Sequence, residues 1–163
     1  MKTYKSLLTC FFLVMVITLS AQENKEVAAI RAVLEKETLS FNNTNRKDWE
    51  DTWLKAPHAY WSYSDSTGTS YVEGWENISK TFDEYFRMQV SSRPIDVAHQ
   101  SSKVSIERTW HHIRVYGNGA YAHYTQKVKD NINLEETSQI RVLEKKDGKW
   151  KVVCVGVIRY YAK

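Results

Sequence analysis

Cysteine is nearly absent from this 163-residue chain, which has only Cys10 and Cys154. Cys10 sits within an amino-terminal apolar run, so Cys154 alone is expected in the finished protein and an internal disulfide is excluded. Long hydrophobic runs are missing too. The longest, Leu7–Leu19, has about 13 residues where a membrane-spanning helix needs roughly 20. Lys2 and Lys5 precede it, and Leu19-Ser20-Ala21 leads into the polar Gln22-Glu23-Asn24-Lys25, the layout of a cleaved signal peptide over residues 1–21. The position of Cys10, ahead of most of that run, is a poor match to a lipoprotein site. A soluble secreted or periplasmic protein is expected, with one domain over residues 22–163 and no membrane span after cleavage.

Excess charge of one sign is also lacking. Without Lys2 and Lys5, 21 basic residues face 19 acidic ones, which removes the electrostatic case for a nucleic-acid partner. No Gly-rich phosphate loop, serine-nucleophile motif or usable Cys–His spacing occurs, so no cofactor is implied. What the chain does have is aromatic surface. Six Trp, ten Tyr and five Phe must hold the fold by packing.

Val27, Ile30, Val33, Leu34 and Phe41 recur at helical spacing and predict a helix from about Asn24 to Asn42. Asn42-Asn43-Thr44-Asn45 breaks it, and Asn45 is placed to cap a shorter helix carrying Trp49 and Trp53, ended by Pro57. His58–Tyr63 and Tyr71–Gly74, joined through Asp65-Ser66-Thr67-Gly68, read as a short hairpin. Trp75, Ile78, Phe82, Tyr85 and Phe86 then mark the buried side of a third helix running to about Gln89 and stopped by Ser91–Pro94.

Val104–Tyr161 reads as four strands with hairpin turns at Gly117-Asn118-Gly119 and Asp147-Gly148. A type I′ turn at Asn118-Gly119 pairs Ile113 with Tyr124 and His111 with Gln126; Gly117-Asn118 as the central pair shifts partners by two and keeps the faces. Thr109, His111, Ile113, Val115, Ala122, Tyr124, Gln126 and Val128 then share the more apolar face, expected against the helices, and Trp110, His112 and His123 share the other. In the second hairpin, Trp150, Val152, Cys154 and Ile158 are expected beside Leu143, Arg141 and Gln139, with Val153, Val155 and Val157 opposite. Both faces are apolar, which suggests helices on one and a second subunit on the other. Gly156 is a candidate bend.

The element order, the Trp49–Trp53 segment, Tyr71-Val72-Glu73-Gly74-Trp75-Glu76-Asn77-Ile78, the Val115–Ala120 turn and Asp147-Gly148-Lys149-Trp150-Lys151-Val152-Val153 together resemble the SnoaL-like members of the NTF2-like superfamily. The resemblance covers nearly the whole mature chain. It implies an α+β cone: a curved mixed β-sheet wrapped around amino-terminal helices, a pocket at the wide end, and homodimers formed through the sheet. The superfamily includes isomerases, cyclases and dehydratases beside members that only bind or associate, so the fold leaves the chemistry open.

His111, Tyr124, Gln126 and Thr109 are the polar interruption of the expected pocket face, close enough for one small ligand to touch all four. Trp49, Trp53, Trp61 and Phe86 complete the candidate ligand-binding set. His111 is the candidate general acid or base, with Tyr124 as oxyanion donor; a structural histidine bonded within the core is the other reading. The carboxylate that such enzymes use is missing from the centre of that face, since Glu107 and Asp130 lie near its ends. His112 and His123 would need a third ligand to hold zinc, and none is evident, so no metal is assigned. Two functions follow: a non-catalytic, dimeric binder of a small apolar or carbohydrate-like ligand, or a cofactor-free lyase or isomerase using His111.

Overall fold

The computed structural model describes residues 25–91, 105–129 and 134–159. The leader expected at residues 1–21, the break at residues 92–94 and Asp130 lie outside them. Helix α1 covers residues 25–42 and turns Ile30, Leu34, Glu37, Thr38 and Phe41 toward the interior. A tight corner ends it: Thr44 adopts φ 58°, its N–H donates to the Phe41 carbonyl at 3.0 Å, and the Asn45 N–H donates to the Ser40 carbonyl at 2.8 Å. That pair of bonds is a Schellman closure, with Thr where Gly is usual. Asn45 also starts the next helix, α2 (Arg46–Thr52), by accepting the Asp48 N–H at 3.2 Å. α2 ends well before Pro57, because Trp53 leaves the helix as an extended residue bridged to Val152, and the Leu54 N–H donates to the Val152 carbonyl at 2.8 Å.

The strands are β1 (Tyr60–Asp65), β2 (Gly68–Glu73), β3 (Ser105–Tyr116), β4 (Gly119–Lys129), β5 (Leu134–Lys146) and β6 (Lys149–Arg159). They form one curved mixed sheet in the order β2-β1-β6-β5-β4-β3, with β1 and β6 parallel and the other neighbours antiparallel. Helix α3 (Trp75–Ser91) follows β2. Gly74 enters it at φ 79°, and the Gly74 and Trp75 N–H groups donate to the carbonyls of Ala59 and Ala56. The left-handed φ at this junction explains the glycine.

The β5–β6 turn has positive φ at both Asp147 and Gly148, as in type I′. The β3–β4 turn differs from the Asn118-Gly119 expectation. Tyr116 pairs with Gly119, and of the two central residues only Gly117 has positive φ, the type II′ pattern. The faces survive that shift, but two bulges then change them. In β3 the register slips between Trp110 and His112, leaving His111 as the extra residue. Side chains alternate with period two, so Trp110 and Arg108 turn inward while Thr109 and His111 turn outward, opposite to the expectation. In β6 the slip leaves Val153 unmatched between Val152 and Cys154. Val155 and Val157 therefore join Arg141 and Gln139 on the inner face, whereas Cys154 and Ile158 pair with Val142 and Ser138 on the outer one. The break falls at Val153, before Gly156, which sits in register between Ile140 and Ser62.

The helices meet the inner face through an aromatic cluster centred on Trp49, which is 1% exposed. Its ring lies 5.0 Å from Phe82, 5.5 Å from Phe86, 5.6 Å from Trp53, 6.0 Å from Trp75 and 6.3 Å from Phe41. One side chain thus joins all three helices. Trp49→Ala is expected to lower the unfolding free energy by about 3–5 kcal/mol in denaturant titration; a loss below about 1 kcal/mol would show that the helices are held another way.

Candidate functional site

Side chains of strand β5 point alternately inward and outward, and its inner column runs Glu135, Thr137, Gln139, Arg141 before closing with Leu143. The facing stripe of α1 brings Glu37, Thr38, Phe41 and Asn42 over that column. Between them lies a cavity of about 270 Å³, near the lower end of the range for small-molecule sites. Gln126 and Val128 of β4, and Val155 and Val157 of β6, widen the floor. Trp49, Trp61 and Tyr63 complete the wall.

A hydrogen-bonded chain crosses the floor. Arg141 Nη1 donates to Gln139 Oε1 at 2.7 Å and to the Ile140 carbonyl at 3.1 Å. Gln139 Nε2 in turn donates to Thr137 Oγ1 at 2.6 Å. Arg141 Nη2 lies 3.5 Å from Glu37 Oε2, which also accepts the Thr38 hydroxyl at 3.2 Å. Both members of this ion pair are buried, Arg141 at 4% and Glu37 at 5% exposed. The chain is incomplete: Arg141 Nε and Gln126 Oε1 are buried with no hydrogen-bond partner. Such groups cost free energy until something satisfies them.

Tyr124 lies beside the cavity, fully buried, with the guanidinium carbons of Arg108 and Arg141 at 5.6 and 5.8 Å from its ring centre. Burial raises the phenol pKa above its ordinary 10.0, and the Glu37 carboxylate adds to this against the pull of Arg141 and Arg108. For Arg141 burial opposes the charge, yet Tyr124 and Glu37 outweigh it and hold the pKa above the usual arginine value. At the solvent side, Glu135 Oε1 accepts the Tyr63 hydroxyl at 3.4 Å and lies 3.6 Å from Arg159 Nε.

Of the residues expected at the site, Trp49, Trp61 and Gln126 line the cavity, and Tyr124 packs next to it. Trp53 and Phe86 belong to the core without lining the cavity. Thr109 and His111 are exposed on the far side of the sheet, because the bulge reverses β3. There His111 Nε2 bonds Thr125 Oγ1 at 2.8 Å, and its ring lies 4.8 Å from that of His123, tilted by 40°. His112 pairs with His123 across the strands, 6.3 Å between rings. Among the described residues, no three His, Cys, Asp or Glu side chains group so as to hold a metal ion. The residues not anticipated are Arg141, Gln139 and Thr137 as the polar floor, and Glu37 as the pocket carboxylate. Glu37 carried a signal, being a charged residue on the apolar stripe of α1 between Leu34 and Phe41.

Several solved structures with this architecture are described as NTF2-like proteins. One of unknown function from Shewanella oneidensis superposes with a TM-score of 0.60 at 11% identity, covering 82% of this chain and 98% of that one. The chain has the NTF2-like fold. An NTF2-like protein of unknown function from Shewanella baltica matches with a TM-score of 0.57 at 20% identity, over 85% of this chain and 96% of its own. A candidate dehydratase of the NTF2-like family from Streptomyces avermitilis matches with a TM-score of 0.60 at 10% identity, over 86% and 99%. No protein-family model matches the sequence, and no curated protein is similar to it in sequence. Identity this low carries the NTF2-like fold and not its chemistry.

The raised Tyr124 pKa has a testable sign. Above about pH 10 the unfolded tyrosine loses its proton while the folded one keeps it, so stability falls as pH rises through that window. Tyr124→Phe removes one buried hydroxyl and is expected to change stability at pH 7 by about 1 kcal/mol or less. In thermal melts it should flatten the loss that sets in above about pH 10; parallel wild-type and variant curves would refute the assignment.

Proposed function

We propose that this NTF2-like protein is a non-catalytic binder of a compact amphipathic ligand. It holds the polar head over Gln126, Gln139 and Arg141, and an apolar or sugar-like body against Trp49, Trp61 and the valines of β6. The observation that carries the reading is the set of partnerless polar atoms, Arg141 Nε and Gln126 Oε1, on side chains that line a ready-made cavity. Both atoms are buried and the side chains that carry them line the cavity, and these two facts support a polar contact with a ligand held there. Proton transfer through His111 gains no support, because that side chain lies on the other side of the sheet. Export after cleavage at Ala21 and dimerisation through the outer face belong to the same proposal. The half-buried Ile140, Val142, Cys154 and Ile158 on that face support the second point.

Native mass spectrometry of protein purified from its own host tests all three parts. The expected spectrum is a dimer of chains starting at Gln22, each carrying one small molecule released on unfolding. Trp61→Ala should weaken the recovered ligand about tenfold or more, as loss of an aromatic wall demands, while His111→Gln leaves it bound. An empty cavity, together with no tryptophan-fluorescence response to a library of small amphipathic compounds, would overturn the binding role.

A further inference from the structure

The geometry points to a hydroxyl-bearing monocarboxylate as the ligand, its carboxylate on the Nε–Nη2 edge of Arg141 and its hydroxyl donating to Gln126; this rests on the small-molecule reading above. Three observations converge on it. The first is charge. Around Tyr124 the described residues set two guanidinium groups, the buried Arg141 and the half-buried Arg108, against one buried carboxylate, Glu37. Glu135, the other acidic group on the cavity wall, already has Arg159 at 3.6 Å on the solvent side. Among the described residues this side of the cavity therefore carries more positive than negative charge, which favours an anionic ligand.

The second is the shape of the vacant edge. Arg141 spends Nη1 on Gln139 and the Ile140 carbonyl, holds Glu37 only loosely through Nη2 at 3.5 Å, and leaves Nε with nothing. Two parallel N–H groups on one edge of a guanidinium match the two oxygens of a planar carboxylate. A phosphate dianion fits less well, since its second charge would press on Glu37. The third is Gln126 Oε1, an acceptor on the adjacent strand that is buried without a donor. A hydroxyl near the carboxylate supplies that donor, and the aromatic and valine walls suit a short apolar remainder.

Calorimetric titration of the full mature protein with lactate, mandelate, their amides, phenylacetate and inorganic phosphate tests the inference. Mandelate or lactate should bind at least about tenfold tighter than its amide, the worth of one charge-assisted bond. Gln126→Leu should bring mandelate down to the level of phenylacetate and leave phenylacetate unchanged. Arg141→Lys should weaken every carboxylate about tenfold and spare the amides. Should that variant fail to fold, Gln126→Glu replaces it, and there the added negative charge should expel carboxylates alone. Amides binding as tightly as acids would overturn the carboxylate and leave the small-molecule reading standing, as would phosphate binding as tightly as mandelate. Absence of binding by every probe at millimolar concentration also overturns this inference; the broader reading falls only if the native protein is empty.

Discussion

Strand alternation is the constraint on which this molecule depends, together with the two places where it is broken. A strand keeps one face inward only while each residue has a partner, and a single unmatched residue reverses everything beyond it. His111 in β3 and Val153 in β6 are those residues. Because of the first, Arg108 and Trp110 turn to the inner face, where Trp110 packs 4.7 Å from Tyr124 and has the Arg31 guanidinium 5.3 Å from its ring centre. Because of the second, two valines rather than a cysteine face the cavity. Bulges also bend the strands that carry them, so the devices that select the lining contribute to the curvature that leaves room for a cavity.

Against that curved wall the helices are held by two unlike means. Around Trp49 the contact is ring on ring, non-polar and tolerant of small displacement. At Glu37 and Arg141 it is an ion pair removed from water, which repays its desolvation only in good geometry with further hydrogen bonds. Thr38 and Gln139 provide some of those bonds. At the far end of α1, Glu26 accepts both the Lys145 ammonium and the Trp150 indole N–H at 2.6 Å, so the helix is pinned to β5 at both ends and to β6 at its start. The cavity is the space left between the aromatic contact and the charged one.

Much of this architecture was legible in the sequence where the signal is local. Asn45 and Asp48 announce a cap, Asp147-Gly148 a type I′ turn, and the apolar spacing in α1 and α3 two covered helices. Gly117-Asn118-Gly119 was ambiguous for a physical reason: it satisfies type I′ at its second pair and type II′ at its first, and only cross-strand packing decides. The bulges were not legible, since a run such as Trp110-His111-His112 contains nothing to say which residue goes unpaired. That error moved His111 and Thr109 to the wrong side, along with Cys154 and Ile158. The site itself was half legible. Gln139 and Arg141 were placed on one face with Leu143, but the meaning of that column depends on Glu37, distant in sequence and brought opposite only by the path of α1.

The corner at Thr44 and Asn45 carries a consequence for exchange with solvent. Asn45 closes one helix with its backbone and opens the next with its side chain, so α1 and α2 share a joint with no spare residue in which to bend. A flap that swung about that joint would have to break both terminations at once. Among the described residues, exchange at the solvent side of the cavity falls to the side chains of Tyr63, Glu135 and Arg159, whose rotamer changes are fast, small and independent of the backbone.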